Sequence, residues 1–321
     1  MFSVQDDYKG TKMNRRDFLL TSAVGSAAIV GTSLHAKAGW IMPIAHDNNR
    51  ILKSLKFGMI GEGDSMLEKF ELIKSCGFDG VELDSPSDFN LDEVLEAKAK
   101  TGIEIPGVVL STHWAKPFNS QNESVRKDAK TALAKAIKDC KALGGTTVLV
   151  VPAVVNEAIS YSDAYTVSQR EIKELVPMAE ELDISIAFEN VWNNFLLSPI
   201  EAARYVDEFE SKHVGWYFDI GNIVNYGYPS HWIETLGHRI MKLDVKGFSR
   251  QKRDDEGLWK GFGVKIGDGD ANWPNVNKAL DRIGYRGWAS AEVGGGGRDR
   301  LTEISQRMDQ VFSQSPQSKS P

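Results

Sequence analysis

Four acidic residues each come directly after a short apolar run in the second half of the chain. Glu189 follows ISIAF, Asp219 follows WYF, Asp244 follows IMKL, and Glu292 follows WASA. A buried strand that stops at a carboxylate delivers that group to the open edge of a sheet. Each acid alone could cap a helix or form an ion pair. Four carboxylates that meet at one edge repel one another, and a divalent cation relieves that repulsion, so together they predict a metal site.

The segment around Asp244 carries an alternation of charged and apolar residues. Lys242, Asp244 and Lys246 fall on one face of a strand, and Leu243 and Val245 fall on the other. We expect the apolar face to pack under helices and the charged face to point into a barrel. Asp244 then binds the metal while the two lysines offset the extra negative charge. In the alternative, Asp244 pairs with a lysine and does not touch the metal.

The elements that position these acids alternate between strand-like and helix-like patterns eight times. The strands are predicted at 56–60, 80–83, 103–110, 146–152, 184–189, 214–219, 239–246 and 288–292, each followed by a helix, and a long loop is predicted at 247–271. Eight such units in one chain indicate an α/β fold of the (β/α)8 TIM-barrel type, in a single domain. In that fold, active sites lie at the carboxyl ends of the strands, where the four acids fall.

A doubly wound open sheet is the alternative fold, and it would bind a nucleotide through a glycine-rich loop after the first strand. Gly58, Gly61 and Gly63 follow that strand, but their spacing is not the dinucleotide pattern. Glu62 and Asp64 would also repel a pyrophosphate. The barrel is therefore the favoured prediction.

Several longer motifs make the chain resemble a known family between residues 55 and 312. They are GFDGVELDSP at 77–86, FEN at 188–190, FDIGN at 218–222, KLDVKG at 242–247 and GDGDANWPNVNKALDRIGYRGWASAEV at 267–293. On these motifs the chain is similar to the xylose isomerase-like barrel family of sugar phosphate isomerases and epimerases.

The resemblance implies a Glu-Asp-His-Glu metal site, matched by Glu189, Asp219 and Glu292, with Asp244 in the place of the histidine. An all-carboxylate set favours Mn2+ or Mg2+, although Co2+ or Zn2+ would also be accepted. The resemblance further implies that Glu189 and Glu292 transfer protons. The expected function is a metal-dependent sugar isomerase or epimerase acting through an enediolate. The alternatives are a lyase or dehydratase on a keto-glycoside or inosose, and an exported sugar-binding barrel without catalysis.

Six further residues are candidates for substrate binding, each with a structural alternative. A histidine and a tryptophan follow the third strand and could contact a sugar or pack in their loop. Asn222 could bind substrate or cap a helix, and Lys246 could bind substrate or balance charge. Arg250 could reach the ligand or stay solvated. Glu82, after the second strand, could reach the substrate or form an internal ion pair. They are His113, Trp114, Asn222, Lys246, Arg250 and Glu82.

The N-terminus carries a twin-arginine export signal. Arg15 and Arg16 precede an apolar stretch that ends near Leu34, and AKA at 36–38 matches a cleavage site. An uncut membrane anchor is the alternative. We predict a signal peptide at 1–38, a linker at 39–54, the barrel at 55–312 and a disordered tail at 313–321. The twin-arginine machinery is then a partner, and the protein is exported to the periplasm.

The composition and the predicted location of the protein narrow the class of substrate. The net charge of −6 argues against a nucleic-acid partner, because such surfaces are basic. The two cysteines are too few for a disulfide framework. Phosphorylated sugars belong to the cytoplasm, so an exported enzyme is expected to act on a small non-phosphorylated carbohydrate. The sequence is also compatible with a homo-oligomer.

Overall fold

The computed structural model describes residues 51–314, and within them eight parallel strands alternate with helices. The predicted signal peptide, most of the linker and most of the tail lie outside the described residues. The strands are β1 Ile51–Leu55, β2 Leu83–Ser85, β3 Gly107–Leu110, β4 Thr147–Val150, β5 Ser185–Glu189, β6 Val214–Asp219, β7 Ile240–Val245 and β8 Gly287–Ala291.

The helices lie between successive strands and after the last one. They are α1 Met66–Ser75, α2 Leu91–Thr101, α3 Glu123–Ala142, α4 Tyr161–Lys173, α5 Val176–Leu182, α6 Pro199–Asp207, α7 Ile220–Val224, α8 Pro229–Leu236, α9 Arg250–Glu256, α10 Trp273–Arg282 and α11 Arg298–Phe312. Short 3-10 helices cover Phe57–Met59, Gly237–Arg239 and Leu258–Phe262. Within residues 51–314, no helix combines the length and the apolar character that a bilayer span requires.

The sheet runs in the order β1-β8-β7-β6-β5-β4-β3-β2, and its two edge strands meet to close the barrel. The backbone N–H of Phe57 donates to the carbonyl of Glu82 at 2.9 Å, and the N–H of Glu82 donates to the carbonyl of Leu55 at 2.9 Å. These bonds lie just beyond the regular strands and join β1 to β2. The predicted (β/α)8 TIM barrel is confirmed.

The elements predicted from local sequence patterns were correct where their residues are strongly buried. β6 has the predicted bounds, and all six of its residues are buried. Ser198 caps α6 by accepting a hydrogen bond from the N–H of Glu201, and Pro199 is the first helical residue, so a local Ser-Pro signal begins this helix. Leu243 and Val245 pack in the main core under the helices, whereas Lys242 and Asp244 point into the barrel. The alternation along β7 is therefore confirmed.

The predictions for the first strand and for the long loop were wrong, and β2 begins three residues later than predicted. The first strand is Ile51–Leu55 and not 56–60, so the barrel begins inside the segment assigned to the linker. This strand is defined by its pairing with β8, in which Ile51 lies opposite Gly287. The predicted loop at 247–271 contains α9 and a 3-10 helix. No residue of α9 is buried, so it has no apolar stripe by which the sequence could reveal it.

Candidate active site

The four acids meet at the carboxyl end of the barrel. Glu189 is the last residue of β5, Asp219 is the last of β6, Asp244 lies at the end of β7 and Glu292 directly follows β8. Asp219 and Asp244 are partners in the register of their parallel strands, so they lie at the same height. One carboxylate oxygen from each of the four residues lies within 4.8 Å of the others. The strands bring together the whole predicted set.

Three of the four carboxylates are buried, the Glu292 side chain is 40% exposed, and several of the carboxylate oxygens lack hydrogen-bond partners. Asp219 and Asp244 have no exposed surface, and Glu189 is 7% exposed. Asp219 caps α7 with Oδ1, which accepts from the N–H of Asn222 at 2.8 Å. Asp219 Oδ2, both oxygens of Asp244 and Glu292 Oε2 are buried and accept no hydrogen bond of normal geometry. Buried oxygens left in this condition are suited to bind a cation.

Two lysines share this space with the acids. Lys246 Nζ lies 2.8 Å from Asp219 Oδ2 and 2.5 Å from Glu292 Oε2. Lys56 Nζ lies 2.9 Å from Asp244 Oδ1 and 2.7 Å from Glu82 Oε2. These contacts have ion-pair distances, although those to Asp219, Asp244 and Glu292 lack hydrogen-bond geometry. Lysine ammonium groups therefore neutralise part of the charge.

Sequence reasoning did not identify Lys56. It assigned Lys242 and Lys246 to offset the charge of Asp244, but Lys242 Nζ contacts Glu82 at 3.3 Å. Lys56 is the lysine that pairs with Asp244. A correct boundary for β1 would have placed Lys56 at the end of a strand, where the acids are, and so would have identified it.

The charges of the cluster move the pKa values of its members. Burial and the neighbouring Glu292 raise the pKa of Glu189 well above its usual value. Burial likewise raises the pKa of Asp244 strongly and that of Asp219 to about 6. Burial alone would also raise the pKa of Glu292, but Lys246 and Lys56 outweigh it and lower that pKa. Lys56 and Lys246 together do not supply enough positive charge to keep all four acids ionised.

A count of formal charges shows what the cluster requires. Glu82 and the four acids provide five carboxylates, and Lys56, Lys242 and Lys246 provide three ammonium groups. Two negative charges remain, and burial lowers the pKa of nearby His113 to about 4, which keeps it neutral. One divalent cation would balance the cluster. The charge and the unsatisfied oxygens therefore fit a metal with oxygen ligands.

A cavity of about 420 Å³ opens above the acids. Polar and charged residues of the strand ends line it together with aromatic residues of the loops. The lining residues are Lys56, Phe57, Gly58, Asp84, Val109, His113, Trp114, Leu149, Glu189, Val191, Trp192, Asn222, Lys246, Trp259, Phe262 and Glu292. A pocket of this size with convergent polar groups suits a small organic ligand.

Four of the predicted substrate-binding residues line this cavity. His113 is buried, and its Nδ1 accepts from the N–H of Val151 at 3.3 Å, whereas Trp114 is 50% exposed. Asn222 donates through Nδ2 to Glu189 Oε1 at 3.3 Å while its backbone is capped by Asp219. It therefore both positions an acid and belongs to a capped helix. Lys246 is the fourth predicted substrate-binding residue that lines the cavity.

The other two candidates lie elsewhere. Glu82 is inside the barrel, where both its oxygens accept from the hydroxyl of Tyr217 at 2.7 Å. Burial alone would raise its pKa, but Lys56 and Lys242 lower it to about 2, so this acid serves an internal ion-pair network. Arg250 is outside the cavity lining and donates to the carbonyls of Val224 at 2.9 Å and Gly227 at 2.7 Å.

A closed (β/α)8 barrel with a cluster of acids at its carboxyl end has the organisation of barrel enzymes, whose active sites lie at that end. The chain belongs to the xylose isomerase-like TIM barrel family, whose sequence model matches residues 70–311.

Individual relatives cover most of the chain. It is 28% identical over 276 residues to an uncharacterised protein of Methanocaldococcus jannaschii, covering 81% of this chain and 87% of that one. It is 27% identical over 248 residues to the L-ribulose-5-phosphate 3-epimerase UlaE of Escherichia coli O1:K1, covering 70% and 81%. Among solved structures, a D-tagatose 3-epimerase-like protein superposes with a TM-score of 0.67 at 25% identity, covering 82% and 97%.

Proposed function

We propose that this protein is a divalent-metal-dependent sugar epimerase or isomerase that moves a proton on a carbon next to a carbonyl. The observation that carries this proposal is the set of four carboxylate oxygens within 4.8 Å of one another, on the side of a cavity that fits a small molecule. The family and the epimerase relatives support the same class of reaction. The enzyme is accordingly an isomerase.

Glu189, Asp219, Asp244 and Glu292 would hold the metal. When bound, the ion polarises a carbonyl and makes the adjacent C–H acidic. Glu189 ends β5, Glu292 directly follows β8, and both line the cavity, so they can reach a sugar between them from two sides. One glutamate takes the proton from carbon and leaves an enediolate, and the other returns a proton. Asn222 keeps the Glu189 carboxylate in place through its hydrogen bond to Oε1.

The donor set favours Mn2+ or Mg2+ over Zn2+. All four groups offer oxygen, and hard cations prefer carboxylate oxygen, whereas zinc is bound more often through nitrogen and sulfur. Asp244 is the residue that decides this preference, because it stands where a histidine is expected. Metal analysis of the purified protein tests it, and a content of zinc alone would contradict it.

The substrate is a non-phosphorylated carbohydrate. The cations that line the cavity are Lys56 and Lys246, and each lies within 3 Å of two carboxylates. Within residues 51–314, no arginine lines the cavity, although phosphate groups are commonly bound by bidentate arginine. The enzyme should therefore turn over keto-sugars better than their phosphates. A preference for a sugar phosphate, as in the name of the relative UlaE, would contradict this part of the proposal.

Export through the twin-arginine pathway to the periplasm is also proposed, on the motif at Arg15 and Arg16 and the AKA triplet at 36–38. N-terminal sequencing of the protein from a host with an intact pathway should give Gly39 as the first residue. An unprocessed chain that stays in the cytoplasm would contradict this proposal.

The decisive experiment compares the wild type with Glu189→Gln and with the control Glu181→Gln, whose side chain is exposed on the outside of α5. Keto-sugars are incubated in deuterium oxide with Mn2+, and deuterium at the carbon next to the carbonyl is measured. We expect uptake with unchanged product mass apart from the label, a loss of 10²-fold or more in Glu189→Gln, and no change in the control. A chelator should abolish uptake, and Mn2+ should restore it.

The other outcomes separate the alternatives. Loss of water or of an aglycone from the product would indicate a lyase or dehydratase. A sugar that binds without any isotope exchange, equally in wild type and Glu189→Gln, would indicate a binding protein without catalysis. Either result would refute the epimerase proposal.

A further inference from the structure

An aromatic wall leads from the acids to the rim of the cavity. Lys246, which contacts Asp219, has its Nζ 5.6 Å from the ring centroid of Phe262. The ring centroids of Phe262 and Trp192 lie 4.9 Å apart, and those of Trp192 and Trp259 lie 4.8 Å apart. The rings therefore form one continuous surface whose inner end is at the acids and whose outer end is Trp259.

The wall is supported from behind. The fully buried ring of Phe248 lies 5.7 Å from Trp192 and 4.9 Å from Phe262, between centroids. Trp192 Nε1 donates to the carbonyl of Asn222 at 3.0 Å, which fixes the indole. Gly261 packs on Phe248 so closely that a Cβ there would lie 2.5 Å from the ring. The surface is thus held in a defined position before any ligand binds.

Trp259 lines the cavity and yet is 70% exposed. A large apolar side chain left in water beside a pocket loses the stabilisation that burial would provide, about 25 cal/mol for each Å². Trp114, 50% exposed, follows β3, whereas Trp259 follows β7. In a barrel of eight strands, β3 and β7 are four strands apart and lie on opposite sides. Both exposed indoles line the same opening.

We propose that Trp259 forms an outer subsite that stacks on a second ring, so that the substrate is a keto-glycoside, which keeps the carbonyl that the proposed reaction needs, and not a free monosaccharide. This inference rests on the proposed function, because the reacting sugar has to occupy the space at the four acids. The second ring, either another sugar or an aromatic aglycone, then extends along the wall past Trp192 to Trp259. An indole offers a flat apolar face to the C–H face of a pyranose or to an aryl ring.

The size of the cavity agrees with a two-ring ligand. Its volume of about 420 Å³ is in the range of pockets that enclose drug-sized molecules, roughly 300 to 1,000 Å³. A substrate with a single ring could occupy the space near the acids and would leave Trp259 in water.

The test measures binding separately from turnover. Matched methyl and phenyl glycosides of D-glucose, D-galactose and D-xylose, as both anomers, are titrated by calorimetry into the full-length protein with Mn2+. For at least one sugar, the phenyl glycoside should bind about tenfold more tightly than its methyl partner. Trp259→Ala should remove this ratio, and Trp259→Phe should retain most of it. The control is Leu258→Ala, because Leu258 is 45% exposed in the same 3-10 helix but does not line the cavity.

Each outcome decides one proposal. A phenyl-to-methyl ratio near one for every sugar, no measurable binding of any glycoside, or a ratio that survives Trp259→Ala would overturn the outer subsite. A ratio lost only in Trp259→Ala, together with no isotope exchange on any sugar, would keep the subsite and refute the epimerase. Isotope exchange on free keto-sugars, together with no effect of Trp259→Ala on glycoside binding, would keep the epimerase and overturn the outer subsite.

Discussion

Replacement of Lys246 by methionine would test whether a lysine and a metal ion compete for the same acids. Methionine keeps most of the length of the side chain and removes its charge. The ammonium group lies 2.8 Å from Asp219 and 2.5 Å from Glu292, and Lys246 is 14% exposed. Its removal leaves the buried Asp219 and the partly exposed Glu292 without their nearest cation. Without added metal, the variant should therefore be much less stable than the wild type.

The expected loss follows from the burial of the pair. Removing one partner of a buried ion pair costs about 3 to 5 kcal/mol. An unfolding entropy of about 2.1 cal/mol/K per residue gives about 0.55 kcal/mol/K for the roughly 260 residues of the barrel. The melting temperature of the metal-free Lys246→Met variant should thus fall by about 5 to 9 °C. Because a divalent ion supplies the missing charge and no ammonium competes with it, saturating Mn2+ should raise the melting temperature more in the variant than in the wild type.

Differential scanning calorimetry with and without Mn2+ measures both effects. The control is Lys135→Met, which breaks a surface pair with Asp139, where Lys135 is 51% exposed and the pair is worth at most about 1 kcal/mol. Its melting temperature should change little and should respond to Mn2+ as the wild type does. An equal Mn2+-induced shift in wild type and Lys246→Met would refute competition between the lysine and the metal.

Three further predictions concern neighbouring residues. The pKa of His113 falls from 6.5 in the unfolded chain to about 4 in the folded state because of burial, so its folded form resists protonation and stability is lost as pH falls below 6.5. Between pH 7.5 and 5 the wild type should therefore lose about 2 kcal/mol of unfolding free energy relative to His113→Gln in denaturant titrations; parallel curves would contradict this. Asp244→His should shift the bound metal from Mn2+ toward Zn2+ in elemental analysis, because it replaces an oxygen ligand with nitrogen; an unchanged metal content would argue that Asp244 is not a ligand. Gly221→Ala places a Cβ 2.3 Å from Lys246 Cγ, so it should cost about 1 to 3 kcal/mol and weaken Mn2+ binding, whereas Gly58→Ala, which meets no atom within 4 Å, should leave stability unchanged.

The sequence predicted the part of the site that depends on buried strands. β6 has six consecutive buried residues and ends at Asp219, so both the strand and its functional residue were visible in one short run. The alternation along β7 likewise showed that Lys242 and Asp244 face the interior. These inferences needed only local periodicity and the rule that chemistry lies at the carboxyl ends of barrel strands.

Contacts between distant segments could not be predicted in the same way. β1 carries Lys53 and Ser54 in a run of five residues, and its pairing with β8 is what makes it a strand. The role of Lys56 depends on that pairing. Arg250 is the first residue of α9, and its long side chain turns to the carbonyl of Val224, a contact that the sequence pattern does not specify.

The join between β1 and β2 links assembly of the barrel to its electrostatics. Lys56 lies immediately after β1, and β1 is held by β8, so two strands distant in the chain must meet before this ammonium reaches Glu82 and Asp244. Such long-range pairing bears a high loop-closure entropy and forms slowly. An incomplete barrel therefore carries an acidic cleft that lacks one of its three lysines and opposes its own compaction, and the arrival of the first strand removes the open edge and part of the repulsion in one step.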